Sequence, residues 1–97
     1  MRTIYVNRAN QVFVPSNFTG MVVRENRDRY WVLNDQFHRI NGPAYIKATG
    51  GEYWYRNGKW HRLDGLAFDN GNGLTGYYID GIAFNEEDYW NDPRTGI

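Results

Sequence analysis

Short apolar runs, each ended by Gly, Asn, Asp or Pro, follow one another along the chain. Ile4-Tyr-Val6 and Gln11-Val-Phe-Val14 are β-like, and Asn7-Arg-Ala-Asn10 between them reads as a hairpin loop closed off by Pro15-Ser-Asn17. From residue 18 the pattern becomes periodic. Phe18-Thr-Gly-Met-Val-Val23, Ile40-Asn-Gly-Pro-Ala-Tyr45 and Leu63-Asp-Gly-Leu-Ala-Phe68 share one form: apolar, polar, Gly, any residue, then two apolar positions. A strand is expected after each Gly, at 21–24, 44–47 and 67–69. A polar turn follows at 25–28, 49–51 and 70–73. An aromatic-rich second strand comes next, at 29–33, 52–56 and 76–79.

Asn34-Asp35, Asn57-Gly58 and Asp80-Gly81 end these second strands. Asn-Gly and Asp-Gly are strong hairpin signals, because both central residues of a type I′ turn need positive φ. Segments 36–39 and 59–62 are expected to cross to the next unit. After Phe84 the pattern changes to Asn85-Glu-Glu-Asp-Tyr-Trp90. Asn85 suits an N-cap, and three acidic residues suit the positive end of a helix dipole, so 86–90 reads as a short helix that Asp92-Pro93 stops. An atypical last unit of this kind covers the open edge of a repeat array.

The clearest copy pair is Tyr30-Trp-Val-Leu-Asn-Asp-Gln-Phe-His-Arg-Ile-Asn-Gly-Pro-Ala44 and Tyr53-Trp-Tyr-Arg-Asn-Gly-Lys-Trp-His-Arg-Leu-Asp-Gly-Leu-Ala67. Tyr, Trp, Asn, His, Arg, Gly and Ala recur at an offset of 23 residues. The second copy resembles repeats of pattern W-Y-L-N-G-K-x-H-R-x-D-G-P-A found in small bacteriophage and bacterial proteins. Those repeats are loosely similar to membrane-occupation-and-recognition-nexus repeats. The resemblance spans residues 18–90 and departs from the pattern at Leu66, where Pro is usual, and at Asn34-Asp35, where Asn-Gly is usual. It implies a phage-encoded protein that acts inside an infected bacterium by binding and neutralising a host protein.

Composition agrees with the β reading. Eight Tyr, five Phe and four Trp accompany eleven Gly, and Cys is absent, so no disulfide supports the fold. Ninety-seven residues suit one domain with a modest core. No apolar run approaches the roughly 20 residues of a membrane span, and residues 1–8 lack the apolar core of a signal peptide. A cytoplasmic protein is expected, in the host cell cytoplasm if phage-encoded. Net charge is zero but uneven. Residues 1–62 hold ten of the eleven Lys/Arg against four Asp/Glu, and 63–97 hold one against seven, a dipole suited to oriented encounter.

Candidate chemistry is sparse. His38 and His61 each precede Arg at equivalent positions. Repetition favours a structural role that ties crossing segments together, since an active site is normally built once. A metal site would need a carboxylate such as Asp64 as third ligand, and catalysis would need a nucleophile that is not visible. Arg and aromatic residues interleave, yet zero net charge and the lack of a recognised motif argue against nucleic acid.

Trp31, Trp54 and Tyr77 form a ladder at one repeat position, and alternation puts Tyr30, Val32, Tyr53 and Tyr55 on the other face. Either one face is core and the other a contact surface, or the sheet curls and buries both.

The expected fold is all-β: a meander of about three stacked hairpin repeats of period 23 with an N-terminal hairpin and a C-terminal cap helix. A single domain, 1–97, divides into the hairpin 1–17, the repeats 18–84 and the cap 85–97. The expected function is a non-enzymatic binding module, without cofactor or metal, that inhibits a host defence protein by occlusion. Its contact residues are expected to be Tyr53, Tyr55, Arg56, Trp31, Trp54 and Tyr30, because Tyr, Trp and Arg dominate binding hot spots. Two alternatives remain at this stage: a protein that sequesters a nucleotide or other small anionic ligand, and a self-assembling structural protein. A homo-oligomer is compatible with each.

Overall fold

A computed structural model of the chain describes residues 2–6 and 17–96. Its strands are β1 (Arg2–Val6), β2 (Gly20–Arg24), β3 (Arg29–Leu33), β4 (Gln36–Phe37), β5 (Tyr45–Ile46), β6 (Glu52–Tyr53), β7 (Tyr55–Arg56), β8 (Lys59–Trp60), β9 (Phe68–Asp69), β10 (Thr75–Ile79) and β11 (Ile82–Phe84), followed by helix α1 (Glu86–Asn91). The architecture is mostly β with one short C-terminal helix. The main sheet runs β1-β2-β3-β5-β6-β9-β10-β11, with β4 also on β3 and β7 paired with β8, and it does not close into a barrel. The loop at 7–10 and the strand at 11–14 expected for the N-terminal hairpin lie outside the described residues. β1 itself pairs in parallel with β2, Arg2 opposite Gly20, while the other pairs are antiparallel.

Gly20 permits that parallel pairing. Its φ is +150°, and a Cβ there would stand 2.3 Å from the Arg2 carbonyl oxygen and 2.9 Å from the Phe18 ring. No side chain fits between two backbones that close.

The three hairpin turns form as their sequences require. Both central residues have positive φ at Asn34-Asp35 (48°, 68°), Asn57-Gly58 (52°, 79°) and Asp80-Gly81 (50°, 81°). The Asn34-Asp35 variant, without Gly, is held from the unit before it. Asp35 Oδ2 accepts from the Asn17 amide at 2.7 Å, and Thr19 Oγ1 accepts from the Asn34 amide at 3.2 Å.

The segments expected only to cross between units carry short strands of their own. β4 folds back on β3, and β8 folds back on β7. Each also bonds to the next unit: Gly58 N donates to Phe37 O at 2.9 Å, and Gly81 N donates to Trp60 O at 2.8 Å. The expected second strand of the middle unit, 52–56, is broken at Trp54, so β6 stays in the main sheet and β7 turns out of it. Trp54 sits at that bend, and Trp31 holds the equivalent position inside the unbroken β3. Their amides donate to Ala44 O and Ala67 O, both at 2.7 Å, and their carbonyls accept from the His38 and His61 amides at 3.1 and 3.0 Å.

This bend decides how the aromatic faces are used. On the inner side, a chain of ring contacts runs from Tyr30 through Phe37, Tyr45 and Tyr55 to Trp60, Phe68 and Tyr78, with centroids 4.8–6.1 Å apart. Phe18, Val22 and Val32 complete the core of the first unit beside Tyr30. The sheet therefore curls over one aromatic face, as a two-layer arrangement needs to bury a core in a short chain. Because each unit contacts mainly its neighbours, the molecule is elongated, 47 × 28 × 18 Å.

Helix α1 closes the far end. Asn85 Oδ1 accepts from the Asp88 amide at 2.8 Å and Asn85 Nδ2 donates to Asp88 Oδ2 at 3.0 Å, a reciprocal cap. Tyr89 is fully buried and packs on Tyr77 with centroids 4.5 Å apart. Its hydroxyl donates to Arg62 O and accepts from the Gly65 amide. No helix among the described residues is long and apolar enough to cross a membrane.

Candidate functional site: an arginine-lined cleft between two repeats

The His-Arg-x-[Asn/Asp]-Gly segment makes the same local structure twice. The Arg39 guanidinium lies 3.8 Å over the Trp31 ring, and the Arg62 guanidinium lies 3.8 Å over the Trp54 ring. Each is covered on its other side by glycine. A Cβ at Gly42 would come within 2.9 Å of the Arg39 guanidinium carbon, and one at Gly65 within 3.0 Å of that of Arg62. Each Arg then donates from Nη1 to a carbonyl in the turn it encloses, Arg39 to Pro43 O at 3.2 Å and Arg62 to Leu66 O at 3.1 Å. The motif thus holds a planar cation in a slot between indole and glycine. Arg suits that slot because a guanidinium stacks and forks, while an ammonium does neither.

Between these two loops lies a cleft of about 360 Å³. Arg39, Trp54, Arg56, His61, Arg62 and Asp64 line it, with Ile40, Asn41 and Leu63 supplying the rest of its wall. Arg39 and Arg62 enter pre-oriented. Arg56 is exposed and has no hydrogen-bond or ion-pair partner among the described residues. Asp64 is already engaged, accepting from Arg62 Nε at 2.8 Å. The walls therefore carry three cations and one anion, an excess of positive charge in a concave space.

His61 is the most enclosed polar member. Only 10% of its side chain is exposed. Its Nδ1 accepts from the Asp80 amide at 3.0 Å, as His38 Nδ1 does from the Asn57 amide at 3.0 Å. The histidines therefore tie each unit to the hairpin turn of the next. Burial, with Arg56 and Arg94 adding to it, pushes the His61 pKa below its ordinary 6.5, against an opposing pull from Asp80. A neutral ring that accepts at Nδ1 carries its proton at Nε2. That Nε2 is buried and has no hydrogen-bond partner among the described residues.

The six residues expected at the contact surface separate. Tyr30 (6% exposed) and Tyr53 (9%) are buried in the core and offer no surface. Trp31 and Trp54 lie on the opposite face beneath Arg39 and Arg62, and Tyr55 is half-buried against Phe37 and Trp60. Trp54 and Arg56 do come together, as two walls of the cleft. Sequence reasoning placed the centre on the aromatic ladder and missed Arg39, His61, Arg62 and Asp64 as its lining. The sequence shows His-Arg recurring at an offset of 23 residues, which puts two Arg at one repeat position without showing that a space opens between them.

Among the described residues no group of three or more His, Cys, Asp or Glu side chains is placed to hold a metal ion. No family model, curated protein or solved structure matches this chain.

Proposed function

We propose that this protein is a non-enzymatic binding module whose contact is the cleft between the two arginine loops together with the β7–β8 hairpin beside it. One observation carries the reading: Arg39, Arg56 and Arg62 line one concave space against a single carboxylate, Asp64. Cationic and aromatic groups held rigid by stacking recognise a target with little ordering loss on binding. The resemblance to phage repeat proteins supports a host protein as target, a defence protein above all, blocked by occlusion in the host cytoplasm. The test is affinity capture from a bacterial lysate with folded variants. Tyr55→Ala combined with Arg56→Ala should abolish capture, while Arg27→Ala on the β2–β3 turn should leave it intact. Capture that survives the first, with biological effect lost in a folded His38→Ala/His61→Ala protein, would refute the reading and point to catalysis.

The volume and charge of the cleft favour a second reading, the sequestering of a nucleotide or other small anionic ligand. At about 360 Å³ it lies at the small end of ligand sites.

A further inference from the structure

We infer that the cleft between the Arg39 and Arg62 loops is a binding site for a phosphoryl group, either free phosphate or the phosphate of a nucleotide. The inference rests on the binding-module reading and names the chemistry of one ligand for it.

Three features of the cleft carry it. First is charge: three guanidinium groups and one carboxylate line the walls, an excess of two positive charges, which matches a phosphate dianion better than a monoanionic carboxylate. Second is geometry. Arg39 and Arg62 are each fixed by an indole on one side, a glycine on the other and one hydrogen bond to a carbonyl. Arg62 Nε is taken by Asp64, and the remaining N–H groups of the two guanidinium ions are presented in a set direction. Planar forks held this way suit the bidentate geometry of phosphate oxygens. The Arg56 side chain is exposed, has no hydrogen-bond or ion-pair partner among the described residues, and is available to close on the ligand. Third is a fixed wall. His61 is nine-tenths buried, lines the cleft and accepts at Nδ1 from the Asp80 amide at 3.0 Å, which ties that wall to the next hairpin turn.

Ile40 and Leu63 supply the rest of the wall, and Asp64, already counted in the charge balance, is held against Arg62 Nε.

The experiment is an NMR titration of the full chain with inorganic phosphate, AMP, adenosine and acetate at constant ionic strength. Phosphate and AMP should shift the Trp54 indole and the Arg39 and Arg62 side-chain signals in a saturable way, and adenosine should not. Arg56→Gln, which breaks no contact of the fold, should weaken phosphate binding at least tenfold, and Arg27→Gln should leave it unchanged. AMP that binds at least tenfold more tightly than phosphate assigns the nucleotide as source, and equal affinities assign phosphate itself. Acetate binding as tight as phosphate, an unaffected Arg56→Gln, or shifts that never saturate would each overturn the proposal. Lysate capture by the same protein reads separately. Capture that depends on Tyr55 and Arg56, with no phosphate response, keeps the binding module and removes the phosphoryl site.

Discussion

Replacing Arg62 with Ala removes a side chain that joins three parts of one unit, and its effect can be worked from the contacts. The guanidinium stacks on Trp54 at 3.8 Å and is about one-quarter exposed, so the cation–π contact contributes about 1–2 kcal/mol. The bond from Nη1 to Leu66 O, at 3.1 Å, adds about 1 kcal/mol. The bridge to Asp64 is mostly solvated and adds no more than about 0.5 kcal/mol. Allowing for the rotamer freedom that Arg62 regains on unfolding, the loss is about 2–3 kcal/mol. For a domain of this length that lowers Tm by about 10–20 °C. Arg62→Lys keeps the charge but loses the stacking plane and the fork, and should recover less than half of the loss. Arg56→Ala is the internal control. Its side chain has no hydrogen-bond or ion-pair partner among the described residues, so the variant's stability should stay within about 0.5 kcal/mol of the parent. Thermal and urea unfolding followed by circular dichroism measure all three. If Arg62→Ala melts within about 2 °C of Arg56→Ala, the indole–guanidinium–glycine slot does not stabilise the unit and the motif needs another explanation.

Gly20→Ala should separate β1 from β2, because the new Cβ meets the Arg2 carbonyl oxygen at 2.3 Å; native-state hydrogen exchange should show protection lost over residues 2–6, and retained protection would refute the close approach. Tyr89→Phe leaves the Arg62 carbonyl and the Gly65 amide without their shared hydroxyl and should cost about 1–3 kcal/mol in urea unfolding, whereas a neutral effect would mean that α1 holds by ring packing alone. His61 makes stability depend on pH. Its folded pKa lies below 6.5, so the unfolded chain takes up the proton first, and stability is full above pH 6.5 and falls as pH drops toward the folded pKa. The wild-type stability minus that of His61→Gln, measured between pH 7.5 and 5, should fall with pH; a flat difference would refute it.

Signals confined to a few neighbouring residues were legible in the sequence. Asn57-Gly58 and Asp80-Gly81 specify their turns by local φ preference, Asn85 specifies its cap by one side-chain oxygen, and Arg29–Leu33 forms the strand its alternation predicts. Features whose partners lie one unit away were not legible. β4 and β8 are two residues long, and their bonds to Gly58 and Gly81 exist only once the next hairpin is docked. Tyr30 and Tyr53 lie on one alternating face, and only its packing against Phe37, Tyr45 and Phe68 places it inside. Gly65 reads as a turn glycine and has a φ of +157°, and it also provides room for the flat Arg62 group, which the sequence does not show. The cleft was hidden for the same reason. Its walls come from positions 23 residues apart, and a repeat read along the chain gives no cue that equivalent Arg residues face each other across an open space.

The end of the array shows why a single such cleft is formed by these loops. In the third unit Tyr77 stands where Trp31 and Trp54 stand, and Asn85 stands where Arg39 and Arg62 stand. Tyr89 of α1 packs on Tyr77 instead and sends its hydroxyl back to the Arg62 loop. The Gly96 amide donates to Leu63 O at 2.8 Å on the same side. The helix therefore satisfies the outer flank of the second arginine loop, and only the flank facing the Arg39 loop is left open. A cleft of this kind needs two adjacent arginine loops, so an array with one more arginine-bearing unit should hold one more cleft. Duplicating residues 45–67, a 23-residue insertion in register with the repeat, provides that unit without touching the cap. The lengthened chain should melt at or above the parent temperature, since units stack on their neighbours, and should bind phosphate with twice the stoichiometry at unchanged affinity. A folded duplicate that still binds one phosphate, or binds it with altered affinity at both sites, would show that the site is not a product of adjacent loops. The assignment of the repeat as the unit that builds it would then fail.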